Sequence, residues 1–256
     1  MYQGSGGPRD APLVVDSPSR AAPDAAAKLV LDRVRKALTA HAAGTRLDPA
    51  RMLQILTAGP APAGREAERP FALGWLHWLA GDFAAAEAPL AAAVRLARQQ
   101  QLRHGLETTP QLLLAEAAYW LGRIRALLGR PDAVSEYESV LKDSRGAPQA
   151  VAWLVDLLWR AGRVDRAEQV WKSVRGNEKV TACDEGPLLE ARLLLRRGET
   201  APAERLLAEA APGNGVVQVE RRLLLAWALA ALKQFDRAQA LFEEAKERPY
   251  PAAALE

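Results

Sequence analysis

Side chains that could carry catalysis or hold a metal are few in this chain and lie far apart. His41, His77 and His104 are separated by more than twenty residues, and Cys183 is the single cysteine. Zinc and other transition metals need histidine or cysteine ligands at close spacing, and an internal disulfide needs two cysteines. We therefore predict no metal site, no cofactor and no disulfide.

Carboxylates are plentiful, but four aspartates recur at one kind of place, just after a short turn: Asp82, Asp132, Asp165 and Asp236. An aspartate there can cap the N-terminus of the following helix, and repetition favours capping over acid–base catalysis. The chain has no glycine-rich phosphate loop and no nucleophile elbow. We predict that it is not an enzyme by itself.

The composition predicts an all-helical fold. Apolar residues make up 49% of the 256 residues and aromatic residues 6%, and no segment alternates valine, isoleucine or threonine with polar residues as strands do. The net charge is only +3, and basic and acidic residues are interleaved, as in Glu204 and Arg205. Nucleic acid is therefore an unlikely partner. No run is long and apolar enough for a membrane span or a signal peptide, which favours a cytoplasmic location.

The chain divides into five segments. Residues 1–23 are rich in glycine, proline and serine and are expected to form a flexible leader. A helical hairpin is expected over 24–58, with Asp48 and Pro49 starting its second helix, followed by a linker over 59–66. Residues 67–251 carry the repeats described next. The last five, 252–256, resemble residues encoded by an expression vector.

Five units of similar sequence follow one another along residues 67–251. Each contains a turn, and their turn residues are Gly81, Gly129, Gly162, Gly198 and Lys233. Seven residues before each turn stands glycine, alanine or valine, and about five residues after it stands alanine. Small side chains at these places would let the two helices of a unit approach closely. A large residue follows nine after the turn in most units: Leu90, Trp171, Leu207 and Phe242, with Tyr137 in a shortened unit.

This pattern resembles the tetratricopeptide repeat, a helix–turn–helix unit of about 34 residues. The resemblance covers roughly residues 67–248 and is most specific in the units that turn at Gly81, Gly162 and Lys233. The interval from Gly81 to Gly129 is longer than one unit, so residues 95–109 should extend helices or form a protruding loop. Glu190 stands where leucine is expected. The resemblance implies a right-handed superhelical solenoid of antiparallel helix pairs.

In the tetratricopeptide family the first helix of every unit lines a concave face. By this resemblance the exposed positions fall ten, six, three and two residues before each turn. Tryptophan, tyrosine and arginine are the types that most often anchor interfaces. Carried over, the predicted partner-binding residues are Trp75, Trp78, Tyr119, Arg123, Trp159, Arg160, Arg192, Arg196 and Trp227. The alternative for each tryptophan is packing between helices, because aromatic residues at helical spacing often belong to a core.

The predicted function is a scaffold that binds a peptide or helix of a partner protein in this groove. Because the lining mixes tryptophan with arginine, we expect the ligand to be apolar with some acidic residues. Arg123 and Arg192 are expected to be exposed, so that replacing both weakens binding but barely lowers stability. Two alternatives remain open: a regulatory or sensor region of a larger bacterial protein, and self-association through an uncapped end of the stack.

Overall fold

The computed structural model describes residues 48–58, 65–104, 108–143, 148–210 and 215–246, together with Asp32 and Lys36. Within these segments the fold is all-helical, as predicted, and contains no strand. None of the described helices is long and apolar enough to cross a bilayer. The helices are α1 (Pro49–Ala58), α2 (Glu68–Leu79), α3 (Phe83–His104), α4 (Thr108–Leu127), α5 (Ser135–Asp143), α6 (Pro148–Arg160), α7 (Val164–Val174), α8 (Glu178–Thr181), α9 (Gly186–Arg196), α10 (Thr200–Glu209), α11 (Gly215–Ala231) and α12 (Phe235–Lys246).

Five helix pairs account for most of the described chain: α2 with α3, α4 with α5, α6 with α7, α9 with α10, and α11 with α12. The first helix of each pair also contacts the first helix of the next, so that α2, α4, α6, α9 and α11 are neighbours in chain order. This arrangement matters for function because it brings side chains from all five first helices to one region.

The first helix of every pair ends in the same backbone motif. In the first pair Gly81 donates its N–H to the carbonyl of Trp78 at 2.9 Å, and Asp82 donates to that of His77 at 2.9 Å. These two bonds define a Schellman motif, in which the turn residue, here Gly81, has a left-handed backbone conformation. The same two bonds and a positive φ recur at the other four turn residues, Gly129, Gly162, Gly198 and Lys233. The alignment of the five units on their turns is therefore confirmed.

Lys233 holds this left-handed conformation without being glycine, at a φ of 62°. A side chain in that region costs about 1–2 kcal/mol. Glycine avoids this cost, but it loses more conformational entropy on folding, which cancels part of the gain. We expect Lys233→Gly to raise the free energy of unfolding by about 0.5–1 kcal/mol in urea denaturation. The control is Lys172→Gly inside α7, which should lower it by about 1 kcal/mol. A less stable Lys233→Gly variant would contradict the strain at this turn.

The small residues of the repeat let paired helices pack closely, as predicted. A Cβ atom added to Gly74 would lie 2.8 Å from Cδ2 of Leu90, and one added to Gly122 would lie 2.7 Å from the carbonyl oxygen of Ala133. Neither site has room for a methyl group. The alanines that follow the turns are all buried: Ala86, Ala133, Ala167, Ala203 and Ala238.

In two units the large residue nine positions after the turn, or its counterpart in the shortened unit, bonds to the next helix pair. The hydroxyl of Tyr137 in α5 donates to the carbonyl of Ala150 in α6 at 2.7 Å. The indole N–H of Trp171 in α7 donates to the carboxylate of Glu190 in α9, which explains why a glutamate replaces the expected leucine there. Phe242 is 40% exposed, and no described helix pair follows α12.

The structure decides between two alternatives that the sequence left open, and it contains one helix that was not predicted. The long first interval is taken up mainly by longer helices, since α3 reaches His104 and α4 begins at Thr108. The short helix α8, inserted between α7 and α9, was not predicted. It starts at Asn177, whose side chain accepts a hydrogen bond from the backbone N–H of Lys179 at 3.0 Å.

The prediction that four aspartates cap helices is right for Asp82 and wrong for Asp165 and Asp236, which lie inside the first turns of their helices. Asp82 accepts a hydrogen bond from the backbone N–H of Ala85 at 3.1 Å, as an N-cap should. Asp165 instead lies inside the first turn of α7, which begins without a side-chain cap, and pairs with Arg196. A carboxylate in a first turn still interacts favourably with the helix dipole. Asp132 pairs with Arg125 at 2.9 Å.

The N-terminal segment joins the helix pairs directly. Helix α1 starts after Asp48, which accepts a hydrogen bond from the N–H of Arg51 at 3.2 Å, as its predicted N-cap role requires. Met52 and Leu56 of α1 pack against Ala72 and Leu76 of α2. The predicted leader over 1–23, the first helix of the hairpin apart from Asp32 and Lys36, most of the linker and the tail over 252–256 lie outside the described residues.

Candidate functional site

One pocket of about 260 Å³ lies where the five first helices meet. It is lined by four aromatic rings, four carboxylates, two arginines, one glutamine and four aliphatic residues. All of them come from the first helices of the five pairs or from the residue just before α9. They are Trp75, Glu116, Tyr119, Trp120, Arg123, Gln149, Trp153, Asp156, Glu185, Leu188, Leu189, Arg192, Val216, Val217 and Glu220.

The repeat places these side chains at corresponding positions. Counted back from each turn residue, most of the lining falls at three places, which are spaced by about one helical turn and therefore share one face. Thirteen before the turn stand Glu116, Gln149, Glu185 and Glu220; ten or nine before it stand Tyr119, Trp120, Trp153, Leu188 and Leu189; six before it stand Trp75, Arg123, Asp156 and Arg192.

Asp156 is the centre of a buried ion-pair network beside the pocket. Its side chain is 5% exposed and accepts hydrogen bonds from the Tyr119 hydroxyl at 2.9 Å and from Nε of Arg160 at 2.7 Å. It also pairs with Arg192, which lies in the next first helix. Since a buried carboxylate is costly unless it is paired, these three donors are what allow Asp156 to lie there.

Glu220 closes the network from the last helix pair. Its carboxylate pairs with Nη2 of Arg123 at 2.5 Å, with Nη2 of Arg160 at 2.8 Å and with Nη2 of Arg192 at 3.5 Å. Arg123 precedes Glu220 by 97 residues in sequence. Three arginines and two carboxylates thus connect α4, α6, α9 and α11, and the arginines already have acidic partners from within the chain.

The network holds both carboxyl groups ionised. Burial alone would raise the pKa of Glu220, but attraction to Arg123 and Arg160 outweighs it and lowers that pKa from 4.5 to about 2. Burial likewise opposes ionisation of Asp156, whose pKa the neighbouring arginines hold well below its ordinary value. Burial and the charge of Asp156 raise the pKa of Tyr119, so its hydroxyl stays a hydrogen-bond donor.

These shifts predict a loss of stability in acid. Both pKa values are lower in the folded chain than in the unfolded one. The carboxylates therefore stabilise the fold at a pH above their unfolded pKa values, and this contribution is lost as the pH falls towards the folded values. For Glu220 the window runs from 4.5 down to about 2. We expect the free energy of unfolding, measured by urea denaturation, to fall across this window, and to fall less steeply in Glu220→Gln. Parallel pH profiles for the two proteins would contradict this assignment.

Aromatic rings form the apolar part of the pocket. Trp153 stacks on Tyr119 with ring centroids 4.9 Å apart and planes 8° from parallel. Trp75 meets the edge of Trp120 at 5.7 Å. The guanidinium of Arg123 lies 4.7 Å from the centre of the Trp120 ring, so its charge is shared between a ring face and carboxylates.

Glu185 is a carboxylate of the lining that takes no part in the network of Asp156 and Glu220. It is 9% exposed, and its Oε1 accepts a hydrogen bond from the indole N–H of Trp153 at 2.9 Å. Its Oε2 is buried and accepts no hydrogen bond within the described structure. Burial raises the pKa of Glu185, although the bond from Trp153 favours the ionised form.

The structure brings four of the nine predicted binding residues to the pocket: Trp75, Tyr119, Arg123 and Arg192. They come from the positions ten and six residues before the turns. Arg160, two residues before its turn, belongs to the ion-pair network but not to the pocket lining. The prediction that the first helices share one lined face therefore agrees with the structure for the N-terminal and central parts of these helices.

The remaining four do not reach the pocket. Trp78 is fully buried in the core and is not available to a partner, so its assignment as a groove residue is wrong. Trp159 is half-buried against the same core. Arg196 forms surface ion pairs with Asp165 and Glu168. Trp227 is 54% exposed on the last pair. Three of these residues lie two or three positions before a turn, beyond the level of the helices at which the pocket lies.

The expectation that Arg123 and Arg192 are exposed is also wrong. Their side chains are 4% and 10% exposed, and both charges are balanced by Asp156 and Glu220. Glu220 was not predicted because it stands thirteen residues before its turn, outside the four positions that line the concave face in the tetratricopeptide family. The recurrence of polar residues thirteen before the turn was the signal that could have identified Glu116, Gln149 and Glu185 as well.

No group of histidine, cysteine, aspartate and glutamate suited to a metal ion occurs among the described residues. No protein-family model and no curated protein matches the chain. Among solved structures, the chain is similar to one described as the crystal structure of BtubC (BKLC) from P. vanneervenii, with 19% sequence identity, a TM-score of 0.43 and 88% of each chain covered. A likeness of that degree establishes neither a shared fold nor a shared function.

Proposed function

We propose that this chain is a protein-interaction module, a right-handed superhelix of tetratricopeptide-like helix pairs that binds a segment of a partner protein. The observation that carries the proposal is the convergence of all five first helices on one pocket lined by tryptophan, tyrosine and charged residues. The same backbone motif at five turns supports the repeat, and contacts between successive first helices support their stacking.

The size and chemistry of the pocket suit an anchoring side chain of a partner. Its volume of about 260 Å³ is small beside the roughly 300–1,000 Å³ of typical small-molecule sites. Interfaces draw much of their binding energy from a few aromatic and arginine residues in well-packed, desolvated pockets. Trp153, half-buried and stacked on the buried Tyr119, offers such a surface, and the exposed Gln149 lines the same pocket.

We further propose that the chain catalyses no reaction by itself. The pocket lining contains no histidine, cysteine, serine or lysine, so the nucleophile and base pairs that these residues form are missing from it. Asp156 and Glu220 are held ionised by arginines and are poorly suited to exchange protons near neutral pH.

Site-directed crosslinking tests the proposed function. A photoreactive amino acid is placed at Gln149, at the edge of the pocket, and in a matched protein at Gln169, which is exposed on the second helix α7. We expect one protein from the source cells to crosslink at position 149 and not at position 169. That protein, once purified, should bind the unmodified chain, and Trp153→Ala should weaken the binding.

Two results would overturn the proposal. One is equal crosslinking at positions 149 and 169, which would indicate contact without a preferred face. The other is a purified partner that binds the wild-type chain and the folded Trp153→Ala variant with the same affinity.

A further inference from the structure

We propose that the pocket binds an organic cation, the guanidinium or ammonium group of a basic side chain on the partner. This inference rests on the proposed function and specifies the chemistry of the anchoring residue. It reverses the sequence expectation of an acidic ligand, and three features of the pocket carry it.

The first feature is the charge of the lining. Four carboxylates line the pocket, Glu116, Asp156, Glu185 and Glu220, against two arginines in the lining and Arg160 beside it. All three arginines are already paired with Asp156 or Glu220. An acidic ligand would have to displace one of these internal carboxylates. Because the carboxylates belong to the same folded chain as the arginines, they pair without the entropy cost that a separate ligand incurs. The pocket therefore disfavours an anion.

The second feature is the buried Oε2 atom of Glu185. It accepts no hydrogen bond within the described structure, and a buried polar atom without a partner is costly. Trp153 fixes the other oxygen of the same carboxylate at 2.9 Å and so holds the group in place. A guanidinium or ammonium group bound in the pocket beside Glu185 would balance the charge of this carboxylate.

The third feature is the set of aromatic rings that line the same pocket, among which Trp153 contacts Glu185. Trp153, Tyr119, Trp120 and Trp75 lie in a chain of ring contacts, with centroids between 4.9 and 5.8 Å apart. Cations are attracted to the faces of aromatic rings, most strongly to tryptophan. Carboxylate and rings together are the two groups that recognise a basic side chain, and the aliphatic residues Leu188 and Val217 can contact its methylene stem.

The test uses three small probes of similar size on the full-length chain: N-acetyl-arginine amide, N-acetyl-lysine amide and N-acetyl-glutamate amide. Binding is followed by the indole N–H signal of Trp153 in the nitrogen–proton NMR spectrum. The loss of this signal in Trp153→Phe assigns it. We expect the two cationic probes to shift this signal in a saturable way and the anionic probe to leave it unchanged.

A pair of charge-matched variants locates the site. Glu185→Gln keeps the shape of the side chain and an acceptor for Trp153, and we expect it to weaken the cationic probes by about tenfold or more because it removes a buried charge partner. Glu178→Gln, an equal change of charge at an exposed residue of α8, should bind them as the wild type does. Unchanged melting temperatures show that both variants are folded.

The outcomes separate this inference from the proposed function. No shift of the Trp153 signal, an equal shift with the anionic probe, or unchanged affinity in Glu185→Gln would overturn the cation site. If a partner is captured at position 149 while the cationic probes do not bind, the interaction stands and the cation site is wrong. If the probes bind but crosslinking shows no preference for position 149, the cation site stands and the proposed function fails.

Discussion

Replacing Arg123 by methionine is expected to lower the free energy of unfolding by about 3–5 kcal/mol, because it leaves buried carboxylates without a full set of partners. Arg123 is 4% exposed, pairs with Glu220 and lies over the Trp120 ring. Methionine keeps much of the volume, so the change tests charge more than packing. Urea denaturation at neutral pH measures the effect.

The matched control for this prediction is Arg196→Met. Arg196 also pairs with a carboxylate, that of Asp165 at 2.6 Å, but the two side chains are 40% and 87% exposed. Water screens such a pair, and we expect its loss to cost less than about 1 kcal/mol. Equal effects of the two substitutions would mean that the buried network contributes no more than a surface ion pair.

Trp78→Ala is expected to destabilise the chain by a similar amount, about 3–5 kcal/mol, because it opens a cavity in a packed core. Trp78 is fully buried and meets Trp120 at a centroid distance of 4.8 Å with the planes 60° apart. Loss of the Trp78 ring also removes a wall of the region that holds Trp120 and Arg123. Thermal and urea denaturation measure the change.

Trp227→Ala is the control for the core assignment. Trp227 was predicted to share the same groove as Trp78, yet it is 54% exposed on α11. Its truncation removes only part of a buried surface, and we expect a cost of about 1 kcal/mol. A larger loss for Trp227→Ala than for Trp78→Ala would contradict the burial of these two side chains.

The positions of the turns and of the small residues around them could be predicted from the sequence because backbone geometry dictates them locally. A left-handed turn needs glycine or a tolerated substitute, and Lys233 could be aligned because its neighbours match those of Gly162. Gly74 and Gly122 could likewise be identified, since close helix approach leaves no room for a side chain. These are requirements within one unit of the repeat.

The face proposed to bind a partner was predicted less well because it depends on contacts between units. The first helices do meet, but at the level of residues six to thirteen before the turns, so Trp159 and Arg196 fall outside the pocket. No property of residues 123 and 220 alone indicates that they pair. Arg123, Asp156 and Arg192 alternate in charge at one repeat position, and this alternation is visible in the sequence. The charges attract one another only because the folded chain places the three helices side by side.

The sequence by itself determined the helical fold, the five turns and the residue types available for a binding face. Tertiary structure alone decided which of those residues are accessible, because burial and pairing are properties of packed helices and not of a single helix. Stacking placed Arg123 and Arg192 against Asp156 and Glu220, which neutralised the charges that had suggested an acidic ligand. The same stacking left Glu185 beside aromatic rings with one oxygen unpartnered.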